Sequence, residues 1–96
     1  MVLNKNKRFV DDNIVRIADK PIGNYLTAIA VKMKKFLPSK PVMLTGFGRN
    51  LDKTFHIAKL ACEIYNLKQH RIYSYTERSK DNKEYTGIAI ELVYKK

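Results

Sequence analysis

Several features are scarce in this chain, and each scarcity excludes a class of protein. There is one cysteine, Cys62, so no internal disulfide can form. The two histidines, His56 and His70, lack the neighbouring ligands that a metal centre needs. Paired carboxylates and a Cys-His couple are missing as well, so nothing points to an enzyme, a cofactor or a small-molecule substrate. No stretch approaches the ~18 apolar residues of a membrane span, and the first residues carry charge where a secretory signal has its apolar segment. The chain therefore reads as soluble and intracellular, in the nucleus or cytoplasm, or in a nucleoid. Glycine (4) and proline (3) are few, so most of the length is expected to fold. Acidic residues are also short: 9 Asp and Glu stand against 19 Lys and Arg, giving a formal charge of +10 and a pI near 9.8. Such a field suits a polyanion, either nucleic acid or an anionic membrane surface.

What is present is the material of one small domain. The chain has 96 residues, of which 45% are hydrophobic. A lone core of this size buries only about 60–65% of the unfolded surface, so dimerisation would help it. Residues 1–12 alternate Lys5, Lys7 and Arg8 with asparagines and read as a flexible basic arm or a solvated terminus. The folded domain is expected over residues 13–96. Asn13–Ala18 forms a first strand. Asp19 and Pro21 then open a helix, with Asp19 as the expected cap. In this helix Ile22, Tyr25, Leu26, Ile29, Ala30, Met33 and Phe36 recur at three- and four-residue spacing. Lys32, Lys34 and Lys35 gather towards its end, where cations suit the helix dipole. Pro38 and Pro41 break it, and Val42–Thr45 makes a second, central strand.

A second helix is expected from about Leu51 to Asn66, with Leu51, Phe55, Ala58, Cys62 and Tyr65 on its inner stripe. Ile57, Leu60, Ala61 and Ile64 widen that stripe beyond the needs of one sheet face, which suggests a partner surface. Cys62 falls within the stripe and reads as a small core residue. Gln69–Arg78 alternates as a third strand, with Arg71, Tyr73 and Tyr75 on one side and Ile72, Ser74 and Thr76 on the other. A polar turn follows, and Tyr85–Tyr94 returns with Ile88, Ile90, Leu92 and Tyr94 inward. Arg78, Lys80 and Lys83 crowd the tip of this hairpin. It is either a solvated loop or a basic ribbon suited to a nucleic-acid groove.

The stretch VMLTGFGRNLDK, Val42 to Lys53, joins the second strand to the second helix through Gly46-Phe47-Gly48. A helix start exposes unpaired N–H groups at its positive end, and Arg49 and Lys53 add charge there. The dinucleotide fingerprint would need a third glycine where Leu51 stands, and a P-loop would need Gly-Lys-Ser/Thr. The aromatics that follow the glycines of an RNA-recognition motif are absent too. A non-enzymatic phosphate contact and a plain tight turn both remain open.

IADKPIGNYLTA (Ile17–Ala28), GFGRNLDK (Gly46–Lys53) and the terminal IAIELVYKK, in this order, resemble the Alba family of small basic nucleic-acid-binding proteins. The resemblance implies an α+β, two-layer β-α-β-α-β-β domain. Its four-stranded mixed sheet would carry two helices on one face and a long basic hairpin of the last two strands. It also implies a homodimer, or a heterodimer with an Alba-like paralogue, that binds RNA or double-stranded DNA. Residue by residue, Lys20 matches the second lysine of the family's Lys-Lys-Pro, Arg49 the arginine after its glycine, and Lys53 the lysine in the first turn of the second helix. Asn50 lies beside them, and Arg78, Lys80 and Lys83 fall on the implied hairpin arm. Tyr65 matches an aromatic used between dimers, and Phe55 is placed with it as a dimer or dimer–dimer contact. Two residues depart from the pattern: Asp19 stands where many relatives have a first lysine, and Phe47 replaces a basic residue. Phe47 is either a base-stacking ring or a packing plug. A second implied role is that of an Alba-like subunit of a ribonucleoprotein such as ribonuclease P or MRP.

Overall fold

The computed structural model describes residues 12–95, the side chain of Glu77 excepted. The expected basic arm, all but Asp12, lies outside the described residues. The elements follow in the order β1 (Ile14–Arg16), α1 (Ile22–Phe36), β2 (Val42–Phe47), a 3-10 turn (Gly48–Asn50), α2 (Leu51–Tyr65), β3 (Leu67–Arg78) and β4 (Glu84–Tyr94). The sheet order is β1-β2-β4-β3, with β1 parallel to β2 and the other neighbours antiparallel. This is the expected α+β class and element order.

Alternation along the strands divides the sheet into two unlike faces. Val15 of β1, Val42 and Leu44 of β2, and Ile88, Ile90 and Leu92 of β4 are all buried in one cluster with Tyr25 and Ile29 of α1 and Ile57, Ala58 and Ala61 of α2. Both helices thus cover the same face. Each large apolar side chain in this cluster contributes about 1.5–3 kcal/mol by leaving water. The register pairs Leu44 with Ile90 and Ile90 with Ile72, so Ile72 points to the helix side, although it lies exposed near the margin. The opposite face, carrying Arg16, Thr45, Phe47, Tyr73, Tyr75, Tyr85, Gly87 and Ala89, is covered by neither described helix. Between Gln69 and Arg71 the register shifts, leaving His70 as a bulge.

Three local expectations change. Asp19 does not cap α1: Pro21 occupies the cap position, and no side chain caps the helix. The Asp19 carboxylate instead reaches Arg49, a partner thirty residues away. The inner stripe of α2 is rotated from the expected one. Thr54, Ile57, Ala58 and Ala61 are buried, Leu51, Cys62 and Tyr65 sit at the margin, and Phe55 is exposed. Tyr94, expected inward, is exposed at the end of β4.

The rotation of α2 has a cause in β2. The strand does not stop at Thr45 but runs on through Gly46 and Phe47. A Cβ on Gly46 would lie 2.0 Å from Thr54 Oγ1 and 3.2 Å from the Asn50 carbonyl oxygen. The helix therefore rests directly on the strand backbone, and the face carrying Thr54 turns inward. Thr54 tolerates burial because its hydroxyl donates to the Asn50 carbonyl at 2.7 Å. Gly48, at φ +62°, is where the chain turns, a conformation that favours glycine. The α2 helix ends at Asn66, which takes the left-handed conformation and donates its N–H to the Cys62 carbonyl. Burial, followed by the charge of Glu63, pushes the Cys62 thiol above its ordinary pKa, while Lys95 opposes the shift. The thiol is accordingly kept protonated and unreactive.

Gly46→Ala is expected to lower unfolding free energy in urea by about 1–3 kcal/mol through overpacking against Thr54. Adding Thr54→Ala should recover part of the loss, since the closest atom is then gone. Strictly additive losses in the double variant would contradict the contact.

Candidate nucleic-acid interface

Two loops distant in sequence meet at one end of the domain. One joins β1 to α1 and carries Asp19, Lys20 and Pro21; the other is the Gly48–Asn50 turn that leads into α2. Tyr25 shapes the first loop from below, and Lys53, in the first turn of α2, ties it to the second. The Tyr25 hydroxyl accepts hydrogen bonds from the backbone N–H groups of Ala18 (2.8 Å) and Lys20 (3.1 Å). The Lys53 ammonium donates to the carbonyls of Ala18 (2.8 Å) and Lys20 (2.6 Å) and lies 5.4 Å from the centre of the Tyr25 ring. Two of its three N–H bonds are thus spent inside the protein. Lys53, expected to touch phosphate, is first the residue that fixes the shape of the site, and its charge adds to the local field.

Above this clasp, Arg49 and Asp19 form an ion pair at 2.7 Å with side chains 78% and 70% exposed. At such exposure the pair contributes little stability, and the guanidinium keeps most of its donors for another anion. Asn50 sits at the start of α2, half-buried, with no cap bond from its side chain. Lys20 is exposed, and its ammonium has no partner among the described residues.

A cleft of about 530 Å³ runs from Lys20 along the gap between β1 and α1, lined by Arg16, Lys20, Lys32, Asn24, Tyr25 and Ala28 among others. Among the described residues, three cations and no carboxylate line it. Sequence reading placed Lys32 with the helix-end lysines and gave Arg16 no role. Their approach to Lys20 depends on the crossing of α1 over β1, which spacing along one element does not reveal.

The far hairpin has a different charge character from the one expected. Arg78 gives one nitrogen to Glu84 (2.6 Å) and another to Asn82 Oδ1 (2.9 Å), so its guanidinium braces its own turn. Lys83 stands 4.0 Å from Asp81, and Ser79 and Asp81 are joined by a short hydrogen bond between their side chains. Of the three cations named for this tip, Lys80 alone has no partner among the described residues. In sequence, Glu77, Asp81 and Glu84 offset Arg78, Lys80 and Lys83, so the tip carries no net charge. Phe47, at the end of β2, is exposed with its ring 6.2 Å from that of Tyr85. It is not a buried plug. Phe55 lies exposed on the outer side of α2, while Tyr65 is half-buried and donates its hydroxyl to the Leu26 carbonyl at 2.9 Å, joining the two helices.

A two-layer domain with paired loops at one end and a long hairpin beyond them is a known architecture. The chain has the fold of Alba proteins. It superposes on ALBA1 from Trypanosoma brucei with a TM-score of 0.76 at 12% identity, covering 88% of this chain and 71% of that one. Alba from Thermoplasma volcanium matches with a TM-score of 0.67 at 19% identity, over 83% of this chain and 98% of that one. No protein-family profile matches the sequence, and no curated protein does.

Lys53→Ala is expected to lower the thermal midpoint, with a stability loss of about 1 kcal/mol, because two charge-assisted hydrogen bonds between loops disappear. Lys20→Ala should leave the midpoint unchanged. Equal melting of both variants and the parent would show that the clasp is not structural.

Proposed function

We propose that this chain is a non-enzymatic, largely sequence-independent nucleic-acid-binding protein, working as a dimer on RNA, double-stranded DNA or both. The observation that carries the reading is that Lys20 and the Arg49–Asp19 pair stand at one end of a cleft whose described lining holds Arg16 and Lys32 and no carboxylate. Cations gathered around these loops suit a phosphate backbone, and the formal charge of +10 draws polyanions from a distance. The resemblance of the Lys-Pro and Gly-Arg loops to those of the Alba family agrees with it. Phosphate contacts hold the backbone without reading the bases, which is the origin of the sequence independence. Lys80 at the hairpin tip adds a contact further along the strand.

The partner reading rests on apolar surface. Phe55 and Ile64 are exposed on α2, and Ile72 and Tyr94 on the adjoining strands. A small domain benefits from covering such surface. Exposed apolar residues of this kind can be covered by a second copy or by a related chain, and the latter is the alternative of a ribonucleoprotein subunit of the ribonuclease P or MRP kind. Light scattering of the purified chain separates the two: a stable dimer supports the autonomous binder, and a monomer that associates only with a paralogue supports the subunit.

If a dimer makes about eight phosphate contacts, log affinity should fall against log salt with a slope near about −7. Binding that is insensitive to salt would sink the reading. Arg49→Ala should weaken binding to all sequences alike and make the slope shallower. Asp19→Asn removes the carboxylate that competes for Arg49 and should raise affinity about threefold at low salt, an advantage that shrinks as salt rises. Unchanged or weaker binding by Asp19→Asn would show that Arg49 is not a phosphate ligand.

A further inference from the structure

The helix-free face of the sheet carries an aromatic surface that the phosphate-binding loops do not use. Phe47 of β2 and Tyr75 of β3 both stand opposite Gly87 of β4, and Tyr85 precedes that glycine by two residues on the same side. Tyr73 follows beside Ala89. Phe47, Tyr73 and Tyr85 are 44%, 38% and 37% exposed. The centre of the face is low because its residues are small. Gly87 and Ala89 are buried although neither described helix covers this side, and the Tyr75 ring lies across Gly87. A Cβ on Gly87 would come within 2.4 Å of the Tyr75 ring, so that ring rests on the strand backbone. The Tyr85 ring reaches back to the turn, 3.8 Å from where a Cβ on Gly48 would stand. The aromatic surface therefore begins beside Arg49 and extends from it along the sheet.

We infer that this face is a stacking platform for the unpaired bases of a single-stranded nucleic acid, with Phe47, Tyr75 and Tyr85 as its rings. The inference rests on the nucleic-acid reading above. Flat rings spread over a sheet present π-faces that any base can cover, and such stacking is insensitive to sequence. Charge favours this occupant over an apolar partner. Arg16, Lys68 and Arg71 share the face with the rings, against Glu77 by register and Glu91, which accepts a hydrogen bond from the Tyr73 hydroxyl at 3.1 Å. Arg71 lies against that same pair. Its hydrogen bond with Tyr73, then the Coulombic effects of Tyr73 and Glu91, raise its pKa above the ordinary value. A strand whose phosphates follow Lys20 and Arg49 would bring its next bases over Phe47 and Tyr85. A duplex keeps its bases stacked on one another and cannot use the platform.

The test compares affinities at one salt concentration for oligo-U RNA, oligo-dT and a duplex, each of about fifteen nucleotides or base pairs. Tyr75→Leu and Tyr85→Leu should each lose about tenfold on single strands and less than about twofold on duplex, and Tyr75→Phe and Tyr85→Phe should bind as the parent does. A loss on RNA alone or on both single strands supports the platform and identifies the strand it takes. The chain has six tyrosines and no tryptophan, so its intrinsic fluorescence is tyrosine emission to which Tyr75 and Tyr85 contribute. Single strands should quench it more than duplex does, a reading that needs no variant and stands if the leucine variants fold poorly. Gly87→Ala, which displaces the Tyr75 ring while keeping it, should also weaken single-strand binding. Equal losses on all three nucleic acids, equal quenching, or a changed oligomeric state with single-strand affinity intact would overturn the inference and leave the phosphate-binding reading standing. A parent protein that binds none of the three would overturn both.

Discussion

The missing side chain at Gly46 sets the position of everything the candidate site uses. Because β2 offers bare backbone there, Thr54 can lie against it, and α2 approaches the sheet more closely than any larger residue would allow. That contact fixes the rotation of α2. The rotation brings Lys53 under the β1–α1 loop, where its ammonium meets the carbonyls of Ala18 and Lys20. It also determines where the Gly48 turn must begin, and hence where Arg49 emerges. A packing requirement in the core is in this way translated into the spacing of charges at the surface.

The site itself is a balance between charges that build and charges that remain available. Lys53 and Arg78 are cations by sequence, yet both are largely occupied in holding backbone or turn in place. Lys20, Lys80 and, outside its exposed pair with Asp19, Arg49 are the ones that face solvent. The net charge of the whole chain therefore overstates the charge at the hairpin tip and says nothing of the cleft between β1 and α1, where Arg16, Lys20 and Lys32 meet.

Much of the architecture was legible from periodicity. Ile22 through Phe36 repeats at helical spacing, the last two strands alternate around a polar turn, and the two prolines at 38 and 41 separate helix from strand. Errors came where a long-range contact overrides local preference. Asp19 has the right position for a helix cap but finds a guanidinium thirty residues away. Thr54 is polar and Phe55 apolar, so the pattern alone placed the wrong one inside; the internal hydrogen bond to Asn50 and the close strand reverse the preference. Gly46 and Gly48 look alike in sequence and serve different ends, one by giving room and the other by giving conformation. The aromatic face was half visible: Tyr73 and Tyr75 were seen to share a side, but their meeting with Phe47 and Tyr85 required the sheet order.

The bulge at His70 bears on how the molecule keeps its own company. At the outer margin of the sheet, β3 extends over twelve residues, and a straight margin of that length is an invitation for another chain to add a strand of its own. The extra residue breaks the run of evenly spaced hydrogen-bonding groups near its beginning, and Lys68 and Arg71 flank the break with charge. A strand sliding in from a neighbouring molecule would lose register within a few residues and bring its own cations against these. The irregularity thus guards the margin of the sheet against edge-to-edge association with other copies.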